Sequence, residues 1–96
     1  MTKSELIKRI SDRYPDMLQK DIQALVDILF AEIAHALVER RRVELRGFGA
    51  FSLRERKARK ARNPRTNEEV QLQQRFAPYF RAGKELRDLI NDDIPE

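Results

Sequence analysis

The stretch "RERKARKARNPRTNEEV", residues 54–70, decides how the whole sequence must be interpreted. Six Lys or Arg residues precede its single proline, Pro64, and Glu55 is the only acidic residue between Arg54 and Arg65. An extended chain shows alternate residues on opposite faces, and both faces of the part before the proline are basic or small. Because neither face has apolar side chains to pack on a core, we predict that this stretch leaves the body of the protein.

Strand signals lie directly upstream of this stretch. Val43 and Leu45 alternate with charged residues, the sequence "GFG" at residues 47–49 signals a turn, and Phe51 and Leu53 resume the alternation. Glycine suits a bend that needs a positive φ or a close approach of two backbones. The pattern predicts a hairpin that leads into the basic stretch.

A further strand follows the basic stretch. The sequence "NPRTN", residues 63–67, is a turn signal, and Val70 and Leu72 then restart an alternating pattern. This pattern leads to "RFAPYF", residues 75–80, whose aromatic side chains are able to rejoin a core. We therefore predict a protruding two-stranded arm over about residues 54–73.

Three helices complete the predicted secondary structure. Thr2 and Glu5 have the spacing of a capping box at the start of a first helix, which ends at Tyr14 because a residue before proline is disfavoured in the helical region. Apolar residues at helical spacing predict a long second helix over about residues 19–41. A short third helix, "KELRDLIN", follows Gly83.

The length of the chain favours an oligomer. Ninety-six residues bury only a small core, and the absence of cysteine excludes disulfides and thiolate metal sites as a means of stabilisation. The apolar stripe of the second helix is wider than one narrow face, and it includes Ile22, Leu25, Val26, Ile28, Leu29, Phe30, Ile33 and Leu37. A core within one chain and a core shared by two chains both fit this stripe, and the length argument favours the dimer.

The positive charge is concentrated in the middle of the sequence. The formal net charge is +4, but residues 40–65 carry eleven Lys or Arg against two acidic residues, whereas residues 1–39 have a net charge of −2 and residues 66–96 of −3. A block of one sign within a domain favours contact with a polyanion, because a surface that serves solubility usually mixes both signs. The alternatives are a solvated hairpin and an arm that folds onto an acidic protein partner or RNA.

No pattern in the sequence favours catalysis. The only histidine, His35, lies within the long apolar helix, and Ser4, Ser11 and Ser52 have no partner residues for nucleophilic chemistry. The sequence has no glycine-rich phosphate loop and no metal-ligand spacing. We expect a binding protein that is not an enzyme and that needs no cofactor or metal ion. Charges near the start and the lack of a long apolar run predict a cytoplasmic protein that does not enter membranes.

Pro64 has two interpretations. Most prolines at the end of a hairpin only form the turn. A rigid apolar ring without an N–H group is also suited to wedge between two base pairs, which unstacks them and bends the duplex. The residues alone favour the turn.

Three motifs follow one another along the chain: "ELRGFGAF" at residues 44–51, "ARNPRT" at residues 61–66 and "RAGKELR" at residues 81–87. In this order and spacing they closely resemble the bacterial HU and integration host factor family of architectural DNA-binding proteins, and the resemblance covers almost the whole chain. It implies an α+β fold with two N-terminal helices, a three-stranded antiparallel sheet that extends into a protruding β-ribbon arm, and a short C-terminal helix. The implied protein is an intertwined dimer that bends double-stranded DNA, with residues 1–96 as its single domain.

The resemblance also implies roles for residues. Pro64 would insert between base pairs in the minor groove, a mechanism that belongs to the family and that is not worked out from this chain. The implied neighbours of this proline at the bend are Arg62, Asn63 and Arg65, and the implied arm contacts in the groove are Arg56, Arg59 and Lys60. The implied phosphate contacts at two helix N-termini are Lys3, Ser4 and Lys84.

Within the family, Glu44 and Arg46 look more like the beta subunit of integration host factor than like HU, which usually has an uncharged residue where Arg46 stands. This likeness implies sequence-dependent contact in the groove, an alpha-type partner chain, and a role in recombination, replication and transcription. The alternative is an HU-like, non-specific homodimer associated with the nucleoid. Either function implies a nucleoid location.

Two positions depart from the family pattern. The family usually has glycine at the positions of Ala61 and Asn67, which flank the tip of the arm. Asn67 tolerates a positive φ, whereas Ala61 does so poorly, so we expect a stiffer or differently shaped tip. The acidic sequence "DDIPE", residues 92–96, lies beyond the usual end of the family and receives no role.

Overall fold

The computed structural model describes residues 1–92, so most of the acidic C-terminal sequence lies outside the described residues. The elements follow the chain as α1 (Lys3–Arg13), α2 (Gln19–Val38), β1 (Val43–Leu45), β2 (Gly49–Arg56), β3 (Arg59–Arg62), β4 (Glu69–Leu72), β5 (Arg75–Ala82) and α3 (Lys84–Asn91). The chain divides into two compact units, Met1–His35 and Ala36–Glu96. Each unit is described by itself below.

The first unit is helical and holds a small apolar core. The Thr2 hydroxyl accepts a hydrogen bond of 3.1 Å from the backbone N–H of Glu5, which caps α1 as the capping-box spacing predicts. Within residues 1–92 the buried hydrophobic residues are Ile7, Ile22 and Val26. Three buried side chains are few for a chain of this length, and the unit therefore depends on further apolar contacts for its stability.

Helix α2 ends earlier than the sequence predicts. It stops at Val38, because Arg40 has a φ of +63° and cannot continue a right-handed helix. The N–H of Arg41 donates to the carbonyl of Ala36 at 2.8 Å, and the N–H of Arg40 donates to that of Leu37 at 3.0 Å. These two bonds form a Schellman motif, in which Arg40 takes the left-handed position that glycine usually occupies.

The second unit contains a three-stranded antiparallel sheet in the order β1-β2-β5. β1 and β2 are joined by a tight turn, in which the Phe48 N–H donates to the Leu45 carbonyl at 2.9 Å and Gly47 has a φ of +87°. A positive φ at this position is what a type II turn requires, and this confirms the turn predicted from the two glycines. β2 then pairs with β5 over eight residues, from Gly49 opposite Ala82 to Arg56 opposite Arg75.

One face of this sheet is apolar. The register places Phe51 opposite Phe80 and Leu53 opposite Pro78, and the rings of Phe51 and Phe80 lie with their centroids 4.8 Å apart. Phe48 in the turn approaches the same Phe80 ring at 5.4 Å. Of the three aromatic residues in "RFAPYF", only Phe80 joins this cluster. Phe76 is 43% exposed, and Tyr79 lies on the other face of the sheet because alternate residues of a strand point to opposite faces, so the expected return of all three to a core is met only in part.

Strands β3 and β4 form a separate two-stranded sheet, which we call the ribbon (Arg59–Arg62 with Glu69–Leu72). Two residues on each strand, 57–58 and 73–74, separate the ribbon from the paired ends of β2 and β5. Residues 54–56, the start of the predicted arm, still pair with β5. None of the helices within residues 1–92 is both long and apolar enough to cross a membrane.

Candidate nucleic-acid interface

The tip of the ribbon is an ordered turn around Pro64. The side-chain oxygen of Asn63 accepts from the N–H of Arg65 at 2.9 Å, and the N–H of Asn67 donates to the Asn63 carbonyl at 2.7 Å. The N–H of Asn63 donates to the carbonyl of Glu68 at 2.9 Å. These bonds hold both ends of the turn, while Pro64 itself is exposed.

Ala61 and Asn67, which stand where the family usually has glycine, adopt different backbone conformations. Asn67 has a φ of +60°, so it adopts the left-handed conformation expected at a glycine position. Ala61 lies within β3 opposite Val70, where extended backbone suits alanine. The tip therefore forms without glycine, since only one of these two positions needs a positive φ.

The two faces of the ribbon differ in chemistry. Directly opposed residues of an antiparallel pair lie on the same face. The register therefore puts Lys60, Arg62, Glu69 and Gln71 on one face and Arg59, Ala61, Val70 and Leu72 on the other. The basic stretch taken alone has no apolar side, as predicted, but the returning strand adds two apolar residues to one face. The sequence pattern of a single strand could not show this.

The polar face of the three-stranded sheet carries arginines along β2 and β5. Arg81 lies opposite Ala50, Arg54 opposite Ala77, and Arg56 opposite Arg75, all on the face that is turned away from Phe51 and Phe80. The guanidinium of Arg54 lies 3.5 Å from the centroid of the Tyr79 ring on this face. Of these four arginines, the sequence analysis assigned a DNA contact only to Arg56.

A second cluster of cations surrounds the turn between β1 and β2 and the start of α3. The N–H of Gly83 donates to the Phe48 carbonyl at 2.8 Å, which fixes the beginning of α3 beside that turn. An open pocket at this place is lined by residues that include Arg42, Arg46, Arg81 and Arg87. The predicted contact Arg46 thus lies near three cations that the sequence analysis did not select.

Two of the predicted contacts in this cluster, Glu44 and Lys84, take part in exposed ion pairs. The Nε atom of Arg42 lies 3.0 Å from a carboxylate oxygen of Glu44, so Glu44 is paired on the sheet surface. Lys84, in the first turn of α3, lies 3.1 Å from Asp88 and is 83% exposed on its side chain. Such exposed pairs exchange readily for other anions, because they contribute little to stability.

The predicted contacts of α1 belong to the helical unit. Ser4 is exposed in the first turn, and the Nζ atom of Lys3 lies 2.5 Å from Asp27 of α2. This pair is about half exposed, with side-chain values of 55% and 47%. A polyanion that contacts Lys3 must replace Asp27 as its partner.

The structure therefore groups the predicted residues into three places. Arg59, Lys60, Arg62, Asn63, Pro64 and Arg65 lie in the ribbon and its tip; Glu44, Arg46, Arg56 and Lys84 lie on the sheet or next to it; Lys3 and Ser4 lie in the helical unit. The missed cations Arg54, Arg75 and Arg81 share one face of β2 and β5. Their positions at alternate residues of two strands are the sequence signal that could have found them.

Comparison with known proteins agrees with this description. A model of the bacterial DNA-binding protein family matches residues 1–91. The chain is similar to the HU protein of Anabaena in a cocrystal structure with DNA, with a TM-score of 0.85 and 35% sequence identity, over 99% of this chain and 100% of that one. The likeness confirms the predicted α+β arrangement of helices, sheet and extended arm.

Two structures from Thermotoga maritima are also similar. A point mutant of its HU protein has a TM-score of 0.68 at 26% identity, over 94% of this chain and 99% of that one. HU from the same organism has a TM-score of 0.64 at 24% identity, over 94% of this chain and 98% of that one. At that last level of identity the likeness concerns the fold alone.

Proposed function

Because the chain belongs to the bacterial DNA-binding protein family, we propose that it is an HU-like architectural protein that bends duplex DNA with little preference for sequence. The HU and integration host factor proteins are architectural DNA-binding proteins and not enzymes, which confirms the expectation that this chain has no catalytic activity. The Anabaena structure and the Thermotoga maritima mutant, which are 35% and 26% identical to this chain, are HU proteins, and this supports the HU-like function over the beta-subunit function.

The observation that carries the proposal is the ribbon. Its outgoing strand presents Arg59, Lys60 and Arg62 beside an exposed proline on an ordered turn. Cations at this density neutralise phosphates and release counterions, which supplies affinity without reading the sequence. A two-stranded ribbon in the minor groove, with Pro64 inserted between base pairs, would bend the duplex in the manner of the family.

Cations outside the ribbon support the same function. The polar face of β2 and β5 leads from Arg81 to Arg54 and Arg56 at the base of the ribbon. The proposed contacts of the sheet and of the helix N-termini are Lys3, Ser4, Glu44, Arg46, Arg54, Arg56, Arg75, Arg81 and Lys84. The remaining proposed contacts are in the ribbon and its tip: Arg59, Lys60, Arg62, Asn63, Pro64 and Arg65.

We infer that the chain pairs with a second copy of itself. Helix α2 leaves large apolar side chains exposed in the single chain, with Leu25 at 56%, Ile28 at 57% and Leu29 at 53%. Burial of such side chains supplies about 25 cal/mol for each Å² removed from water. A homodimer covers these residues and presents two ribbons to one duplex. This is also the pairing expected of an HU-like protein located on the nucleoid.

Binding and bending assays on the purified chain test the proposal. One mobility-shift series would use a duplex of defined sequence, a random-sequence duplex of equal length, and the defined duplex with a central nick. End-to-end energy transfer on the same duplexes would report bending, and sedimentation would report the mass of the protein. We expect a dimer that bends both intact duplexes with similar affinity and that prefers the nicked duplex, because a nick lowers the cost of deformation.

Other outcomes point to other functions. A marked preference for one sequence would favour the beta-subunit function, in which Glu44 and Arg46 contribute to specificity. Binding only after addition of a second, alpha-type chain would overturn the homodimer. Equal affinity for intact and nicked duplex, without bending, would favour a basic module for an acidic protein partner.

A further inference from the structure

The two strands of the ribbon carry charge of opposite sign. β3 contains Arg59, Lys60 and Arg62, whereas β4 contains Glu69 and no cation. The segment that follows the tip, residues 66–74, has two acidic residues and no Lys or Arg. A surface built only to attract phosphates gains nothing from a carboxylate at this place, so Glu69 requires a separate explanation.

The register puts Glu69 among the cations of one face. Glu69 lies directly opposite Arg62, and its carboxylate oxygen is 3.9 Å from the Nζ atom of Lys60. A side-chain nitrogen of Arg62 donates to the carbonyl of Asn67 at 3.2 Å. Lys60 and Arg62 therefore each have an acceptor within the ribbon or its tip.

This arrangement does little for the stability of the ribbon. The side chains of Lys60 and Glu69 are 73% and 58% exposed, and their separation is near the limit for an ion pair. Exposed pairs of this kind contribute little, because water and salt screen them. A carboxylate next to Lys60 and on the same face as Arg62 has, in contrast, a direct effect on how strongly those cations attract another anion.

We propose that Glu69 is an internal competitor of DNA phosphate, which lowers the affinity of the ribbon for duplex. In the free protein its carboxylate partly replaces the anion that Lys60 and Arg62 would otherwise attract. In the complex it lies beside the same cations, where the phosphates repel it. The carboxylate reduces the number of phosphates that the ribbon neutralises, and hence the salt dependence of binding. The inference rests on the proposed function, since it concerns the affinity of that same interface.

The test compares Glu69→Gln with Glu68→Gln. Both substitutions remove one negative charge and keep the shape of the side chain, but Glu68 precedes β4 and makes none of the ion pairs found within residues 1–92. Duplex affinity would be measured by fluorescence anisotropy between 50 and 300 mM salt. We expect Glu69→Gln to bind about three- to tenfold more tightly at low salt, with a salt slope steeper by up to about 0.9, and the gain to shrink as salt rises. We expect Glu68→Gln to change affinity less than about twofold.

A double-mutant cycle provides a second measurement. Lys60→Gln should weaken binding more in the Glu69→Gln background than in the parent, because Lys60 there has no competing carboxylate. Equal gains for the two glutamine variants would overturn the inference, since net charge alone would then explain them. A loss of affinity in Glu69→Gln would overturn it too, because the carboxylate would then position Lys60 and Arg62. Failure of the parent chain to bind DNA contradicts the proposed function, whereas an inert Glu69→Gln in a parent that binds contradicts this inference alone.

Discussion

The sheet and the ribbon are both antiparallel ladders, but they use their faces differently. The β2–β5 ladder has an aromatic face around Phe51 and Phe80 and an arginine face around Arg54, so one element contributes to packing and also carries part of the proposed DNA interface. The two faces of the ribbon also differ in chemistry, but neither is buried in a core, and Val70, on the more apolar face, is 40% exposed. Substitutions in the sheet should therefore change the free energy of unfolding, whereas substitutions in the ribbon should change binding alone.

The largest effect on binding is expected from the ribbon. Replacement of Arg59, Lys60 and Arg62 by alanine removes three cations, each of which adds up to about 0.9 to the salt slope and roughly 1 kcal/mol to binding at 0.1 M salt. We expect the affinity to fall by up to about 3 kcal/mol with an unchanged melting temperature. Mobility shifts at several salt concentrations and a thermal melt would measure both.

A matched control separates location from net charge. Alanine at Lys8, Arg9 and Arg13 of α1 removes the same three charges from exposed positions in the helical unit. This control should lose much less affinity. If both triple variants behave alike, the ribbon has no special part in DNA contact.

The largest effect on stability is expected at Gly49. A Cβ atom at this position would lie 2.5 Å from the Cζ atom of Phe80 and 2.6 Å from the carbonyl oxygen of Arg81, so the backbone of β5 would have to shift. We expect Gly49→Ala to lower the free energy of unfolding by about 2 kcal/mol. Denaturant unfolding at a fixed protein concentration would measure it, since the stability of a dimer depends on concentration.

Gly83→Ala is the control for this prediction. Its Cβ atom would meet the Phe48 carbonyl oxygen at 3.4 Å, which is an ordinary contact. The loss of stability should therefore be a fraction of that at Gly49. An equal loss at both positions would mean that the close approach of β5 to Gly49 is not what requires glycine.

The ribbon and Gly49 also show which features could be predicted from the sequence and which could not. The ribbon was predictable because a basic tract with no apolar side has nowhere to pack, and this is a local property of residues 54–63. The two glycines around Phe48 indicated a positive φ or a close backbone approach, but not which residue approaches Gly49, because Phe80 lies far away in sequence and only the strand pairing brings it there. Arg75 and Arg81 could have been found from their alternating positions along one strand, whereas the position of Glu69 opposite Arg62 needed the register.

The tip of the ribbon should affect the shape of the DNA more than its affinity. Pro64 is exposed on a turn that hydrogen bonds of Asn63 and Asn67 hold in place, so Pro64→Ala should leave the ribbon folded. Loss of the rigid ring removes the wedge, and we expect the bend to decrease by tens of degrees while affinity changes by less than about 1 kcal/mol. Energy transfer between the duplex ends measures the bend. Equal bend angles for the variant and the parent would remove the wedge role and leave Pro64 as a turn former.

The smallest effect is expected within the β2–β5 ladder, at the contact between Arg54 and Tyr79. The Tyr79 ring lies under the guanidinium at 3.5 Å and holds it on the polar face at the base of the ribbon. Tyr79→Leu removes the ring but keeps the charge of Arg54, so we expect affinity to fall by about 0.5 kcal/mol, the size of an exposed cation–π contact, with an unchanged salt slope. Tyr79→Phe keeps the ring and should bind like the parent. A decrease in the salt slope of Tyr79→Leu would show that Arg54 had lost its phosphate contact entirely. The sheet would then contribute to DNA binding by neutralising phosphates, as the ribbon does.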